Sequence, residues 1–275
     1  LRRRYWRATQ AERRQALMPF VWGTMARQGA LLGNRDLGSR VNVTNGKDFS
    51  YPGYNELLTG RPDARIDRND VGANPNVTVF EWLDGRDGFR GRVAAVGGWD
   101  AFRDIFNVRR SGLPVHATRR EPIDASTHAA ALRVLQERRP RALFVAYVET
   151  DDWAHQGRYD RTLEAVHRLD AALAQLWAAA QADPRTRGRT TLILTADHGR
   201  GRTVRDWRNH GAHVPGASEV LVGMLGPATP ALGEVRGGSP LAQAQVAATV
   251  AAAVGEDFRG VTGRAAPPIR LGRPR

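Results

Sequence analysis

Apolar residues recur along this chain at two different spacings, and the points where the spacing changes divide it into elements. Over residues 8–27, Leu17, Phe20, Val21 and Met25 fall on one face of a helix. A Gly- and Asn-rich stretch follows. Tyr51-Pro52-Gly53 then reads as a turn, and residues 54–58 as the opening of a helix. Residues 76–83 and 92–96 are strand-like, the second closed by Gly97-Gly98. Ser126 suits the N-cap of a helix that runs to Arg138 and is stopped by Pro140.

The second half is more regular. Residues 143–148 (LFVAYV) form an almost wholly apolar run, the pattern of a buried parallel strand. Residues 159–182 place Leu163, Val166, Leu169, Leu173 and Leu176 on the inner face of a long helix. Asp183-Pro184 and Gly188 break the chain before a second buried strand at 190–195 (TTLILT). A third strand at 220–225 ends at Gly226-Pro227, and Ser239-Pro240 opens an Ala-rich helix to residue 254. This succession predicts an α/β fold with a mainly parallel sheet sandwiched by helices. With no repeat, heptad run or low-complexity tract, residues 1–275 read as one domain.

Composition narrows the function. No stretch approaches the roughly 18–20 uninterrupted apolar residues of a membrane-spanning helix. The chain opens at Leu1 with neither an initiator Met nor a leader, so a processed chain or a fragment is expected. The net charge of +13 suggests nucleic acid, yet Lys47 is the one lysine among 41 basic residues and the arginines are scattered. Such a bias fits Arg and Ala codons of a GC-rich genome. The expected partner is a small anionic substrate, not nucleic acid. Because there is no Cys, disulfides, a thiol nucleophile and thiolate ligands are all excluded.

Candidate chemistry collects where open α/β sheets place it, beyond the carboxyl ends of strands. The run LFVAYV leads into Glu149-Thr150-Asp151-Asp152-Trp153-Ala154-His155, and TTLILT leads into Ala196-Asp197-His198-Gly199. A third cluster, His210-Gly211-Ala212-His213, precedes the next strand. Carboxylate oxygen and imidazole nitrogen are what zinc takes when no thiolate is present. An Asp and a His four apart also occur as a surface pair, and Asp-His-Gly also occurs as a turn. Two such sets on successive strand ends, with a third His one loop later, are much harder to obtain by chance. His116, His128 and His167 lie outside the pattern.

The order of these segments resembles the alkaline phosphatase superfamily, especially its nucleotide pyrophosphatase/phosphodiesterase branch. The matching motifs are FSYPGYNELLTG at 49–60, DDWAHQG at 151–157, ADHGRG at 196–201, NHGAH at 209–213 and GMLGP at 223–227. The likeness spans residues 42–258. It implies hydrolysis of a phosphate mono- or diester through a phosphoserine intermediate, with two divalent ions, Zn²⁺ by the donor set. Ser50 would be the nucleophile, lying on one metal held by Asp197 and His198. Asp151, His155 and His210 would hold a second metal that polarises the attacking water. Asp151 is preferred to Asp152 for its spacing to His155, and His210 to His213 because the branch has His-Gly here. Asn69 would contact a phosphate oxygen.

The branch also carries a metal Asp at the end of a first strand, ahead of the nucleophile. Nothing suitable precedes Ser50, since Asp36 follows no apolar strand, so that strand and its Asp are expected to lie before Leu1. The metal of Ser50 would then be short one ligand. Sulfatases of the superfamily need a C/S-x-P-x-R pattern, and Tyr54 stands where the Arg is required. Phosphomutases share the metal logic, and a truncated, inactive member that only binds an anionic ligand is the non-enzymatic rival. Residues 62–120 would form a cap or insertion selecting the leaving group. The resemblance implies a periplasmic or secreted protein, of bacterial origin.

Overall fold

Pro19 decides how the chain enters the fold. The computed structural model describes residues 1–260 and 263–272. Helices α1 (Arg2–Tyr5) and α2 (Gln10–Leu17) come first, the latter closed by a reciprocal box between Thr9 and Glu12. The single helix expected over residues 8–27 is interrupted at Met18, because proline offers no amide and disfavours helical geometry in the residue before it. The chain restarts as a wide π-type turn (Val21–Met25) and α3 (Ala26–Gln28). The amides of Phe20 and Val21, freed by the break, donate to the Asp170 carboxylate at 2.8 and 2.9 Å. Asp170 is only 1% exposed, so a buried carboxylate caps this restart from a distant helix.

Ten strands follow in the described residues: β1 (Ala30–Leu32), β2 (Val41–Asn42), β3 (Val93–Gly97), β4 (Val115–Ala117), β5 (Ala142–Ala146), β6 (Leu192–Thr195), β7 (Glu219–Val220), β8 (Val222–Leu225), β9 (Gly233–Glu234) and β10 (Leu241–Ala242). They form three sheets, ordered β4-β3-β5, β6-β8-β1-β9 and β10-β2-β7. The first is wholly parallel, as expected of an α/β protein. In the second, β8 pairs antiparallel with both β6 and β1, so the 190–195 and 220–225 runs lie side by side in opposite directions.

The remaining helices are α4 (Ser50–Thr59), α5 (Val79–Asp84), α6 (Phe102–Ile105), α7 (Val108–Ser111), α8 (Ile123–Arg133), α9 (Glu149–His155), α10 (Tyr159–Ala182) and α11 (Gln245–Ala253). The main core gathers Tyr51 and Leu57 of α4, Phe80 of α5, Phe102 and Ile105 of α6 and Val246 of α11, with Phe144 of β5 and Ile193 of β6 packed against it. On the opposite faces, Leu173 of α10 joins Leu192 and Leu194, and Leu176 joins Leu143 and Val145. Helix α10 therefore spans two sheets. Strands β3 and β8 are fully buried, whereas Leu143, Phe144 and Val145 of β5 and all of β6 are half-buried. Strands β5 and β6 end their sheets, each paired on one edge only among the described residues.

Several local expectations change. Instead of a strand over 76–83, the chain forms α5 from Val79, because Thr78 accepts from the Glu81 amide at 3.1 Å and starts a helix. Helix α4 begins at Ser50, not at Tyr54. Helix α8 begins at Ile123, leaving Ser126 inside it rather than at its cap. The last helix starts at Gln245, after β10. Residues 62–120 contain β3, β4 and several core side chains, and 61–78 is the longest stretch there without regular elements.

The Asp170 cap gives a stability prediction. In Asp170→Ala two buried amides lose their acceptor, and unfolding free energy should fall by about 2–5 kcal/mol. Urea denaturation of the two proteins measures it; a loss below about 0.5 kcal/mol would rule out this capping role.

Candidate metal centre

Strand β5 runs straight into α9, and the four-residue spacing of Asp151 and His155 puts both on one face of that helix. Their side chains meet at 3.3 Å, Oδ2 to Nε2. The position of α9 is fixed by an exchange between helix starts. The Val148 amide donates to Asp124 Oδ1 at 2.8 Å, and the Asp124 amide donates to Glu149 Oε1 at 3.0 Å. Arg168 of α10 closes the group, donating to Glu149 Oε2 at 2.8 Å. Burial pushes the Asp124 carboxyl up to about 6 against the amide bonds that favour its charge. Burial works against charge on Glu149 too, but the Asp124 amide and Arg168 outweigh it and hold that carboxyl below its usual range.

The second segment leaves β6 as Asp197-His198-Gly199. Only glycine fits at Gly199, where a Cβ would lie 2.3 Å from Glu219 O and 2.4 Å from Gly216 O. His198 turns Nδ1 to Gly199 O at 2.9 Å, so its Nε2 points inward, 3.5 Å from Asp197 Oδ2 and 3.8 Å from Asp151 Oδ1. Burial raises the Asp197 carboxyl, offset in part by His198. Gln243, fully buried, donates to Ala196 O at 2.6 Å and Asp197 O at 2.9 Å and holds the turn from behind.

The third segment brings His210. Its Nε2 is 2.9 Å from His155 Nε2 and 3.9 Å from Asp151 Oδ1, and its ring stacks on His198 at 4.0 Å. Burial, then the neighbouring His198, pushes its pKa down to about 4, so at neutral pH the ring is an uncharged lone-pair donor. His213 is exposed. His128 is engaged with Tyr147 and Gln175, and His167 with Leu17 O.

Ser50 opens α4, and α4 lies on the Asp197 turn. A Cβ at Gly53 would come within 2.2 Å of Asp197 O, so glycine permits this close approach. The Gly211 amide donates to Asp48 O at 3.0 Å and ties the His210 loop to the residues before Ser50. Asn69 is exposed, and its Oδ1 accepts from the Tyr51 amide at 3.0 Å, beside Ser50. The structure thus brings Asp151, His155, Asp197, His198 and His210 together and sets the Ser50 helix against them.

Among the described residues, Asp151, His198 and His210 offer ligand atoms that all lie within 4.8 Å of one another. Nitrogen and carboxylate oxygen, without sulfur, suit a divalent ion such as zinc. The sequence motifs divide the ligands into two sets, whereas here Asp151 reaches the histidines of both. The supporting Asp124 and Gln243 carry no sequence signal of a site, whereas Glu149 opens the Asp151 motif and Gly53 lies within the 49–60 motif.

A family model described as type I phosphodiesterase / nucleotide pyrophosphatase matches residues 2–226. The 2,3-bisphosphoglycerate-independent phosphoglycerate mutase of Gracilaria tenuistipitata var. liui is 28% identical over 80 residues, covering 29% of this chain and only 15% of that protein. Among solved structures, murine ectonucleotide pyrophosphatase/phosphodiesterase 5, an inactive form with AMP, superposes with a TM-score of 0.64 at 12% identity, covering 93% of each chain. The PsFucS1 sulfatase from Pseudoalteromonas sp. gives 0.58 at 12% identity, over 87% of this chain and 62% of that one. At these identities the likeness is one of fold: an alkaline phosphatase-like α/β architecture.

The clasp beneath α9 carries a pH signature. The folded pKa of Asp124, about 6, lies above its ordinary 3.8, so its contribution to stability is present below about pH 4 and lost as pH rises through 6. Asp124→Asn cannot titrate, and its urea midpoint should fall less than the wild type's over that window. Equal slopes for the two proteins would contradict the assignment.

Proposed function

The chain belongs to the type I phosphodiesterase / nucleotide pyrophosphatase family, and we propose that it hydrolyses a phosphate mono- or diester, with Ser50 as nucleophile beside a centre of Asp151, His155, Asp197, His198 and His210. Family membership supports phosphoester hydrolysis in general; the roles of these residues are our reading. One observation carries it. His155 Nε2 and His210 Nε2 face each other at 2.9 Å beside a carboxylate that also faces His198. Lone pairs aimed at one another repel unless a proton or a cation lies between them. A third imidazole on the same carboxylate favours the cation.

Two divalent ions, one held by Asp197 and His198 and one by Asp151, His155 and His210, would lower the pKa of the Ser50 hydroxyl and neutralise the phosphoryl oxygens. Ser50 stands at the start of α4, where the helix dipole favours negative charge. Its Oγ attacks phosphorus in line, the bond to the leaving oxygen breaks, and the leaving alcohol carries off a proton. Water then attacks the Ser50 phosphoester, returning the hydroxyl and releasing phosphate, or a monoester from a diester substrate. Asn69 spends its carbonyl on the Tyr51 amide, which leaves its NH₂ group for a phosphate oxygen. Residues 61–78 are the part of the expected cap that lies beside Ser50, through Asn69, and we assign the choice of leaving group to them.

The local likeness to a phosphoglycerate mutase favours a phosphomutase as the second reading. A periplasmic or secreted setting belongs to the same proposal; among the described residues no helix is long and apolar enough to cross a membrane.

Assays with p-nitrophenyl phosphate and bis(p-nitrophenyl) phosphate, with added Zn²⁺, test the hydrolase. Ser50→Ala and Asp151→Asn should each lower kcat/KM by about a thousandfold or more. Full activity in Ser50→Ala removes the nucleophile, and activity that survives dialysis against EDTA removes the metal. Interconversion of phosphoglycerates without net hydrolysis would select the mutase.

A further inference from the structure

Asp151 is the most contested group in the centre. Besides three imidazoles it meets Arg200, whose Nη2 lies in contact with Asp151 Oδ1 and 3.3 Å from Asp151 O. The other arm of the guanidinium is anchored, Nη1 donating to Arg208 O at 2.6 Å. The side chain is 21% exposed and the Asp151 side chain 33%, so water only partly screens the pair. Arg200 is also held between two glycines that admit no side chain. A Cβ at Gly201 would fall 2.3 Å from Asp206 O, as one at Gly199 would meet Glu219 O. The backbone of this turn therefore packs closely on both sides of Arg200, whose Nη2 arm reaches Asp151.

A guanidinium and a divalent cation cannot share one carboxylate oxygen, because like charges at contact distance repel strongly in a partly desolvated site. A phosphoester bound at the same centre carries its negative oxygens to within reach of an arginine anchored on Arg208 O. The fork of an arginine matches two phosphate oxygens, as it matches a carboxylate.

We infer that Arg200 competes with a divalent cation for Asp151 and, once displaced, binds a non-bridging oxygen of the substrate phosphoryl group. Arg200 is thus a substrate-binding residue that also guards the ligand carboxylate. This rests on the metal-dependent reading given above. No bond is made or broken in the exchange; one ion pair replaces another.

The two halves of the inference predict opposite signs, which a merely structural role for Arg200 would not produce. Metal-stripped wild type and Arg200→Gln are titrated with Zn²⁺ alone by calorimetry, and the zinc-loaded proteins are then titrated with inorganic phosphate. Arg200→Gln should bind Zn²⁺ more tightly, by about three- to tenfold, and phosphate more weakly, by about tenfold or more. Arg200→Lys keeps the charge and loses the fork. It should leave Zn²⁺ affinity within about twofold of wild type while still weakening phosphate. Weaker Zn²⁺ binding in Arg200→Gln, or unchanged phosphate affinity in either variant, overturns the inference. Should Arg200→Gln fail to fold, as judged by circular dichroism, the phosphate affinity of Arg200→Lys decides. A wild type that binds no Zn²⁺ at all overturns the metal-dependent reading itself, an outcome distinct from a wild type that binds both probes and a variant that changes neither.

Discussion

The carboxylate of Asp151 is the point on which the rest of the structure depends. Four groups able to carry positive charge, His155, His198, His210 and Arg200, converge on it from three segments of chain. No single strand or helix could deliver them. His155 comes from the same helix as Asp151, His198 from the turn after β6, and His210 from a loop that returns toward β7. An error of about an ångström in any of the three would separate the lone pairs, since metal–ligand bonds vary by only about 0.2 Å. The fold must therefore be stiffest around segments that are themselves short and irregular.

Buried polar groups contribute to that stiffness beside the apolar packing. Asp124 and Glu149 each satisfy the amides at the start of the other's helix, and Arg168 balances their charge. Gln243 holds the carbonyls of Ala196 and Asp197 from below. Asp170 does for the broken first helix what Glu149 does for α8. A hydrophobic contact would tolerate sliding by a fraction of an ångström, whereas a carboxylate on two amides fixes direction as well as distance. Among the described residues the two strands that feed the centre, β5 and β6, are each paired on one edge, with the middle of β5 and all of β6 half-buried, so polar contacts add to what their sheets supply.

How much of this was legible in the sequence follows from the range of each interaction. The period of apolar residues is a local signal, and it located α10, β3 and β5 closely. The Asp-x-x-x-His and Asp-His-Gly motifs are local as well, and the structure gathers their side chains in one place. What failed were elements decided by single polar contacts. Thr78 turned an apolar run into α5, and Pro19 split an amphipathic stretch that otherwise had a helical face. The start of α8 was misplaced because its cap is Glu149, 25 residues away from the Asp124 amide it accepts. Gly53 reads as a turn residue from its neighbour Pro52, yet its missing side chain lets a helix press against Asp197. The antiparallel pairing of β6 with β8 had no local signature at all, since alternation and apolarity do not encode strand direction.

The electrostatics of the centre link its function to a cost in the fold. Burial drives the pKa of His210 down, so its nitrogen offers a lone pair at neutral pH without first releasing a proton. Burial drives the pKa of Asp197 the other way, upward. Both shifts express the same fact: polar groups withdrawn from water with too few partners, as the buried and unpaired Nδ1 of His210 also shows. A sequence selected for stability alone would replace such groups with apolar ones. A cation that binds the folded state alone would stabilise it by mass action. Arg200 partly relieves the strain on Asp151 in the meantime. The stability of the fold and the proposed metal centre therefore draw on one set of interactions, and a substitution at Asp151, Asp197 or His210 bears on both.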